Sequence, residues 1–389
     1  MKEDSAIPDF SMLGGPLHRL GCRLGLVRDV SNTVGVGLAL GLLVWGILVV
    51  LALIQGVSGK VFSLSVIGAH VRLLVAIPLF FLCEAWVFPR MAEFAREIVS
   101  SGMVPASELP ALGAVVSRVG RGKDSPVPEV LFLLVAFVFP LIAPADAMAG
   151  STGNWGAILE QAGGRVTWVN GWYLGACLPL FRFLMLRWLW RLGLWWYFLW
   201  RVEKLDLHLV PTHPDGAGGL GFLEIVQDHF VPLMVAIGAV YAASFAEGIS
   251  TGAITFSTLG RLIPMVLTLV TALFIGPLVL FSGKLWRCRV SGWSAYMAMA
   301  SRYVDAFERK WVRDESATGD AQLGTADLQS LADLGNSINV VRGMRLVPAS
   351  QRLVVGMAAS VLLPMLPLLL LKYPVDQLVI RFVQTLTGL

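Results

Sequence analysis

Long apolar stretches alternate with polar, basic segments along this chain. Seven stretches of about 20 residues are apolar enough to cross a hydrocarbon layer about 30 Å thick. They are predicted at residues 35–56, 71–89, 129–147, 171–190, 229–247, 261–282 and 353–372. The seventh contains Pro364 and Pro367, so a kinked span and a shallow hairpin are both open there. The pattern therefore predicts an all-α polytopic transmembrane helical bundle of six or seven spans, with amphipathic cytoplasmic helices.

Composition supports this class. The chain has 389 residues, of which 56% are hydrophobic and only 14% charged. A soluble domain has about 25% charged residues, which its surface requires. The four cysteines form no C-x-x-C pair, so neither a disulfide framework nor a zinc ribbon is indicated. The expected environment is a lipid bilayer, with no cofactor and no nucleic-acid partner.

Lysine and arginine follow the predicted topology. They concentrate in the N-terminal segment, in the connections after spans two and four, and in the long segment after span six. Such asymmetry places these segments in the cytoplasm, so we expect a multi-pass protein of the bacterial inner (cytoplasmic) membrane with a cytoplasmic N-terminus. The predicted divisions are a cytoplasmic N-terminal segment (1–34), a transmembrane bundle (35–282) with cytoplasmic segments 90–128 and 200–228, a cytoplasmic helical pair (283–352), and a last span or hairpin with the C-terminal tail (353–389).

The segment after span six predicts two amphipathic helices. The first carries an apolar stripe at three- and four-residue steps: Tyr296, Met299, Tyr303, Phe307 and Trp311. The second begins at Thr325 as a cap and carries Leu328, Leu331, Leu334, Ile338 and Val341. We expect the two helices to pack on each other, on residues 90–125, or on a neighbouring subunit. A solvated hairpin is the alternative.

Two segments carry a resemblance. Residues 211–223, PTHPDGAGGLGFL, and residues 323–337, LGTADLQSLADLGNS, resemble signatures of an uncharacterised family of multi-pass bacterial inner-membrane proteins with an H-P-D-x-A-G-G-L-G-F-L motif. The similarity extends over most of the chain. It implies a multi-pass membrane architecture and gives weight to these two motifs, but it implies no reaction and no ligand.

The first motif is rich in glycine and matches G-x-G-x-x-G. A dinucleotide site requires this motif between a strand and a helix, whereas here it lies between two spans. We expect a tight cytoplasmic turn, with a helix beginning near Leu220 and Asp215 as its cap. Packing at the membrane surface is one interpretation, and a gate or anion-binding ligand site at free N–H groups is the other. The candidate residues are His213, Asp215, Gly216, Gly218, Gly219 and Gly221.

A metal site overlaps the same motif. Asp206, His208, His213 and Asp215 lie within ten residues, and their side chains are suitable ligands for a divalent metal ion. Their spacing matches no standard metal motif. A polar strip on an extended segment, in which Asp206 and His208 alternate with leucines, is the favoured explanation.

Ionisable residues inside spans are costly and therefore informative. Glu84 lies in span two and Arg182 in span four, each at a depth of roughly 17 Å from the outer end. We expect an ion pair between them, either as a strut between helices or, with Arg187, as the lining of an anion-attracting pore. Pro78 and Pro179 are expected to kink both helices nearby.

Five tryptophans lie within residues 188–200, and an interfacial belt near anionic lipid is the expected explanation. Glu247, at an outer span end, is expected to be solvated.

The chain contains no Walker A, H-E-x-x-H, G-x-S-x-G or potassium-filter motif. We therefore expect an oligomeric ion channel or pore, slightly favouring anions, in preference to an enzyme. The alternatives are a membrane-embedded enzyme or lipid-handling protein acting through His213 and Asp215 at the inner leaflet, and a secondary transporter, which the missing internal repeat disfavours.

Overall fold

The protein is a bundle of long helices. The computed structural model describes residues 10–23, 25, 33–142, 168–312 and 326–372, and this part of the chain contains helices and no strand. The helices are α1 (Pro16–Arg23), α2 (Thr33–Ile54), α3 (Leu64–Ser100), α4 (Leu109–Asp124), α5 (Pro126–Ile142), α6 (Trp168–Glu203), α7 (Phe222–Ser250), α8 (Phe256–Val279), α9 (Ser282–Phe307), α10 (Ala326–Gly343) and α11 (Gln351–Leu371).

Six of these helices are long and apolar enough to cross a membrane, namely α2, α3, α6, α7, α8 and α11. They confirm the predicted class and match six of the seven predicted stretches. The described part of the third stretch is α5, and residues 143–147 lie outside the described residues. The last stretch is helical throughout, first as an α-helix to Leu362 and then as a 3₁₀-helix from Leu363 to Leu371.

Burial separates central from peripheral helices. In their most apolar stretches 56% of the residues of α3 and α7 are buried, whereas the fraction is 28% in α2, α8 and α11. The outer helices expose large apolar side chains such as Leu43, Leu53 and Leu366. Because lipid tails solvate such surfaces without cost, this arrangement is that of a bundle in a bilayer. Apart from Thr33 of α2, the buried polar and charged side chains of the described residues lie on α3, α6 and α7.

A π-helical turn lies just before each of the two prolines at which a helix kink was predicted. Residues Arg72–Ala76 of α3 and Tyr173–Cys177 of α6 form π-turns, which immediately precede the α-helical turns containing Pro78 and Pro179. Proline has no N–H to donate to the carbonyl four residues earlier, and a wider turn accommodates that missing bond. Such turns are a frequent cause of helix bending.

The two ends of the bundle differ. At one end lie residues 10–23, α4, the connection 204–221, α9 and α10, with most of the lysines and arginines; we call this the basic end. The opposite end has the short connections 55–63 and 251–255. Residues 91–100, at the start of the predicted cytoplasmic segment 90–128, are the end of α3, which continues without interruption to Ser100 at the basic end.

The predicted helical pair is present at the basic end. Helix α9 packs along α10, where Leu334 and Val341 are buried. The hydroxyl of Tyr303 donates to the carbonyl of Asp327 at 2.9 Å. Met299 does not belong to the contact face and is 45% exposed. Thr325, the predicted cap of α10, lies outside the described residues.

Candidate functional site

A buried ion-pair cluster joins α3, α5 and α6 near the basic end. Glu84 forms ion pairs with Arg187 and Arg191, and the latter pair has Arg191 Nη1 2.8 Å from Glu84 Oε1. Arg187 Nε lies 3.5 Å from Glu129 Oε1 in the first turn of α5. The side chains of Glu84, Arg187 and Arg191 are each at most 5% exposed. We call Glu84, Glu129, Arg187 and Arg191 the basic-end cluster.

The predicted partner of Glu84 was wrong. Glu84 pairs with Arg187 and Arg191, and not with Arg182. The error came from the span boundaries, since α3 begins seven residues earlier than predicted and α6 only three. Glu84 lies twenty residues after Leu64, and Arg187 lies nineteen residues after Trp168, so both are about 30 Å along their helices. The cluster lies beside the residues of the basic end, since Arg191 also donates to the carbonyl of Gly14.

A second cluster lies at the opposite end and was missed by the sequence analysis. Arg72 Nη1 donates to the hydroxyl of Tyr173 at 2.6 Å. Glu247 accepts a hydrogen bond from the backbone N–H of Gly68 at 2.7 Å and is only 5% exposed, so its predicted solvation was wrong. Arg182 lies within electrostatic range of Arg72 and Tyr173. We call Arg72, Tyr173, Arg182 and Glu247 the opposite-end cluster.

The π-turns and the opposite-end cluster coincide. Arg72 is the first residue of the π-turn in α3, and Tyr173 is the first residue of the π-turn in α6. A π-turn costs hydrogen-bond geometry and is retained most often at functional sites. The hydrogen bond between Arg72 and Tyr173 joins the two π-turns.

An aromatic layer separates the two clusters. The rings of Phe80 and Phe181 stack with centroids 5.9 Å apart, and the guanidinium of Arg72 lies 6.0 Å from the Phe181 centroid. Towards the basic end, Arg191 lies 4.7 Å from the Phe88 ring. Helices α3 and α6 thus carry charge, aromatic rings, and charge again along the face they share.

The glycine-rich turn holds its own anion. The carboxylate of Asp215 accepts hydrogen bonds from the backbone N–H groups of Ala217 (2.8 Å), Gly219 (3.0 Å) and Gly221 (2.7 Å). His213 Nδ1 lies 2.8 Å from the same carboxylate. Partial burial opposes ionisation of Asp215, but these three N–H groups outweigh it and hold its pKa below the usual 3.8. The N–H groups expected to bind an external anion are therefore occupied.

The backbone conformation of the turn explains the glycines of the motif. Gly216, Gly218 and Gly219 have φ of +62°, +66° and +104°, which side chains rarely adopt. At Gly221 a Cβ atom would lie 2.7 Å from the Cβ of Asp215, so glycine there permits the close approach of the carboxylate. Helix α7 begins at Phe222, two residues after the predicted start.

Hydrogen bonds from Arg345 connect this turn to the start of the last span. Arg345 donates from Nη2 to the Asp215 carbonyl at 2.7 Å and from Nη1 to the Glu224 carboxylate at 2.7 Å. Its backbone N–H donates to the carbonyl of Gly216 at 2.7 Å. Ser350, the N-cap of α11, donates to Glu224 as well. The turn thereby links α6, α7 and α11; no sequence signal pointed to Arg345 because its partners lie more than 100 positions away.

The candidate metal ligands do not come together in the part of the chain that the structure describes. No group of three or more His, Cys, Asp or Glu in that part of the chain could hold a metal ion. Asp206 and His208 are exposed, and the carboxylate of Asp215 already bonds the turn. Asp206 and His208 line two different grooves. The groove lined by His208 has a volume of about 420 Å³ and is also lined by Glu97, His213 and Arg345.

The tryptophan belt is only partly correct. Trp188 and Trp195 are 2% and 1% exposed and pack in the core against Phe88 and Phe94. Trp200 is 40% exposed, with Lys204 Nζ 3.8 Å from its ring. The aromatic residues of α6 therefore serve mainly the core.

Comparison with known proteins finds no matching family model, no matching curated protein and no matching solved structure. The function must therefore be argued from the geometry of the chain itself.

Proposed function

We propose that this integral membrane protein is an ion channel or pore of the bacterial inner membrane. The observation that carries the proposal is the pair of charge clusters centred on the shared face of α3 and α6. A charged group inside a bilayer is expensive, and such groups mark ion or proton pathways more often than not. Here charged groups occur at two levels of the same helix pair.

The pathway lies within each subunit. The two clusters would act as ion-binding levels near its ends, and the stacked rings of Phe80 and Phe181 would form the constriction between them. A hydrophobic constriction closes a pore by excluding water. The π-turns beginning at Arg72 and Tyr173 give α3 and α6 a place to bend, so the rings can separate.

The charge balance slightly favours anions. The two clusters contain four arginines and three glutamates, so the arginines outnumber the carboxylates. Rings or clusters of arginine favour anions in pores. Arg182 belongs to the opposite-end cluster and directly follows Phe181 of the constriction, so it is part of the pathway most sensitive to substitution.

The glycine-rich turn is proposed as a gate or ligand sensor at the inner mouth. Its bonds to Arg345 connect α6, α7 and α11, so a change in the turn would move three spans together. The enzyme and lipid-handling alternatives require a reactive His213 or Asp215. The carboxylate of Asp215 already accepts three backbone bonds, which favours a structural role for it over an acid–base role.

A homo-oligomer is part of the proposal. On α9, away from α10, the side chains of Trp286, Val290, Trp293 and Met297 are 39–54% exposed and follow steps of four, three and four residues. This is the spacing of helix–helix contacts. The distribution of Lys and Arg supports a cytoplasmic N-terminus, and the two resembled motifs support membership of the bacterial family named above.

Ion flux into liposomes tests the channel. The purified protein is reconstituted, and chloride and potassium fluxes are measured separately. We expect chloride flux in the wild type and at least about a tenfold loss in Arg182→Ala, since one lost charge interaction in a low-dielectric pathway is worth more than about 1.4 kcal/mol. Arg261→Ala, at an exposed arginine of α8, is the matched control and should conduct normally.

Two results would contradict the proposal. One is wild-type protein, folded and oriented, that passes neither ion. The other is equal flux in wild type and Arg182→Ala.

Measurement of the protein's mass in native membranes tests the oligomer. Trp293→Glu on the exposed face of α9 should shift the oligomer towards the monomer, whereas Leu328→Glu, exposed on α10, should not.

A further inference from the structure

Residues 10–19 lie against the basic-end cluster. Phe10 is 7% exposed, and its ring centroid is 4.5 Å from that of Phe198 and 6.3 Å from that of Trp195. Met12 is fully buried. Two apolar side chains of one extended segment are thus inserted between helices of the bundle, as anchors of a bound peptide are.

Two cations of the bundle donate to carbonyl groups of this segment. Lys123 Nζ donates to the carbonyls of Ser11 at 3.1 Å and Leu13 at 2.8 Å. Arg191 Nη2 donates to the carbonyl of Gly14 at 3.0 Å. Since Arg191 also pairs with Glu84, the segment is bonded to a member of the cluster itself.

Two carboxylates of the bundle accept its N–H groups. Asp124 Oδ1 accepts from the N–H of Gly15 at 3.1 Å, and Glu129 Oε2 accepts from the N–H of Leu17 at 2.9 Å. Arg19 donates to the carbonyl of Asp124 at 2.8 Å. Glu129 is also the partner of Arg187, so a second member of the cluster is shared.

Two glycines shape the segment for this groove. Gly14 and Gly15 have φ of +136° and +95°. A Cβ atom on Gly15 would lie 2.9 Å from the Oε1 atom of Glu129. The role of these glycines cannot be read from the sequence, because the groove that they fit is formed by three separate helices, α4, α5 and α6.

We propose that residues 10–19 are a plug, held as an intramolecular peptide ligand, which closes the inner end of the pathway while it is seated, so that the wild type conducts only while the plug is detached. The groove recognises mainly peptide groups and two apolar side chains, so the plug can leave without breaking any helix. Its departure would remove one bond from Arg191 and one from Glu129 and would open the cluster to water. The groove and its peptide stand independently of the pathway; only the effect on ion flux rests on the proposed function.

Thiol labelling measures whether the plug leaves. In protein whose four native cysteines are replaced, Met12→Cys places a thiol on the buried face of the plug. We expect slow labelling by a maleimide in the parent protein. In Gly15→Ala, where the backbone is strained and the Cβ meets Glu129, we expect labelling about tenfold faster. Gly120→Ala, in α4 with no atom within 4 Å of the new Cβ, should label at the parent rate.

A synthetic peptide of residues 8–23 provides a second measurement that needs no destabilising variant. In excess it should compete for the groove, raise the labelling of the thiol introduced by Met12→Cys, and leave the melting temperature unchanged. The same peptide with Asp in place of Phe10 and Met12 should have no effect. Equal labelling in all variants, with no effect of the peptide, would overturn the proposal.

Flux separates this proposal from the channel. If the Gly15→Ala protein labels quickly and conducts more than the parent, both the plug and the channel are supported. If it labels quickly and nothing conducts, the plug stands and the channel fails. If conduction is found but labelling never changes, the plug fails and the channel stands.

Discussion

The glycine-rich turn and the basic-end cluster satisfy buried carboxylates in opposite ways. In the turn, every described side-chain bond of Asp215 goes to a residue within six positions in the sequence. In the cluster, Glu84 is paired with arginines more than 100 positions away. A carboxylate with local partners can be recognised as a motif, whereas one with distant partners looks like an isolated charge until the helices pack.

The environment differs as well. The carboxylate of Asp215 faces a groove and is 18% exposed, whereas that of Glu84 is 4% exposed. Loss of a partner in the turn can be compensated by water. In the cluster it leaves a buried charge uncompensated. The comparison therefore predicts a larger cost for breaking the cluster.

The largest effect is expected for Glu84→Gln. It leaves Arg187 and Arg191 buried with a neutral partner, which costs about 3–5 kcal/mol of unfolding free energy. Glu93→Gln on the same helix breaks an exposed pair with Arg90 and should cost at most about 1 kcal/mol. Unfolding in mixed detergent measures both, and comparable losses in the two variants would show that the cluster is not a buried network.

A smaller loss is expected for Asp215→Asn. The amide keeps one acceptor oxygen for three N–H donors, so we expect a loss of about 2–3 kcal/mol at pH 7. Asp206→Asn, at an exposed carboxylate in the preceding connection, is the control and should be near neutral.

The pH dependence sharpens this measurement. Because the pKa of Asp215 is lowered on folding, its stabilisation is present above pH 3.8 and is lost as the pH falls through the lower folded value. The difference between wild type and Asp215→Asn should therefore shrink below pH 3.8. A difference that is constant with pH would contradict a role for the ionised carboxylate.

Gly219→Ala should cost about 1–3 kcal/mol, because φ is +104° and the new Cβ would lie 2.8 Å from Met103 Cε. Gly335→Ala in α10, with no atom within 4 Å of its Cβ, should be neutral or stabilising by up to about 1 kcal/mol. The same unfolding assay distinguishes them. If both substitutions are neutral, the backbone explanation of the motif is wrong.

The smallest effect concerns His18 of the plug. Burial lowers its pKa below 6.5, and nearby cations add to this against the opposing effect of one carboxylate. The seated plug therefore favours neutral His18, and detachment should increase as the pH falls below 6.5. Labelling of the Met12→Cys protein, corrected for thiol ionisation, should become faster there, but not when His18→Gln is added. The groups that face His18 are Cys22 on its own helix and Glu84, Lys123, Arg187 and Arg191 on the bundle.

The sequence alone determined whatever depends on short-range pattern. Apolar stretches of about 20 residues predicted the spans, because a bilayer requires that length of helix. The steps of three and four residues predicted two amphipathic helices, with the contact between α9 and α10 as one of the expected packings. The glycines predicted a tight turn with Asp215 near a helix start. Each of these features is set by residues close in the sequence.

Only the tertiary structure decided which distant groups meet. An error of four residues in the relative start of two spans is about one helical turn, which was enough to assign Glu84 to Arg182 instead of Arg187. Residues 10–19 carried no periodic signal, since their partners lie on α4, α5 and α6. Spacing along a chain fixes each helix face. The packing of whole helices fixes their relative height and rotation, and with them the ion pairs and the plug.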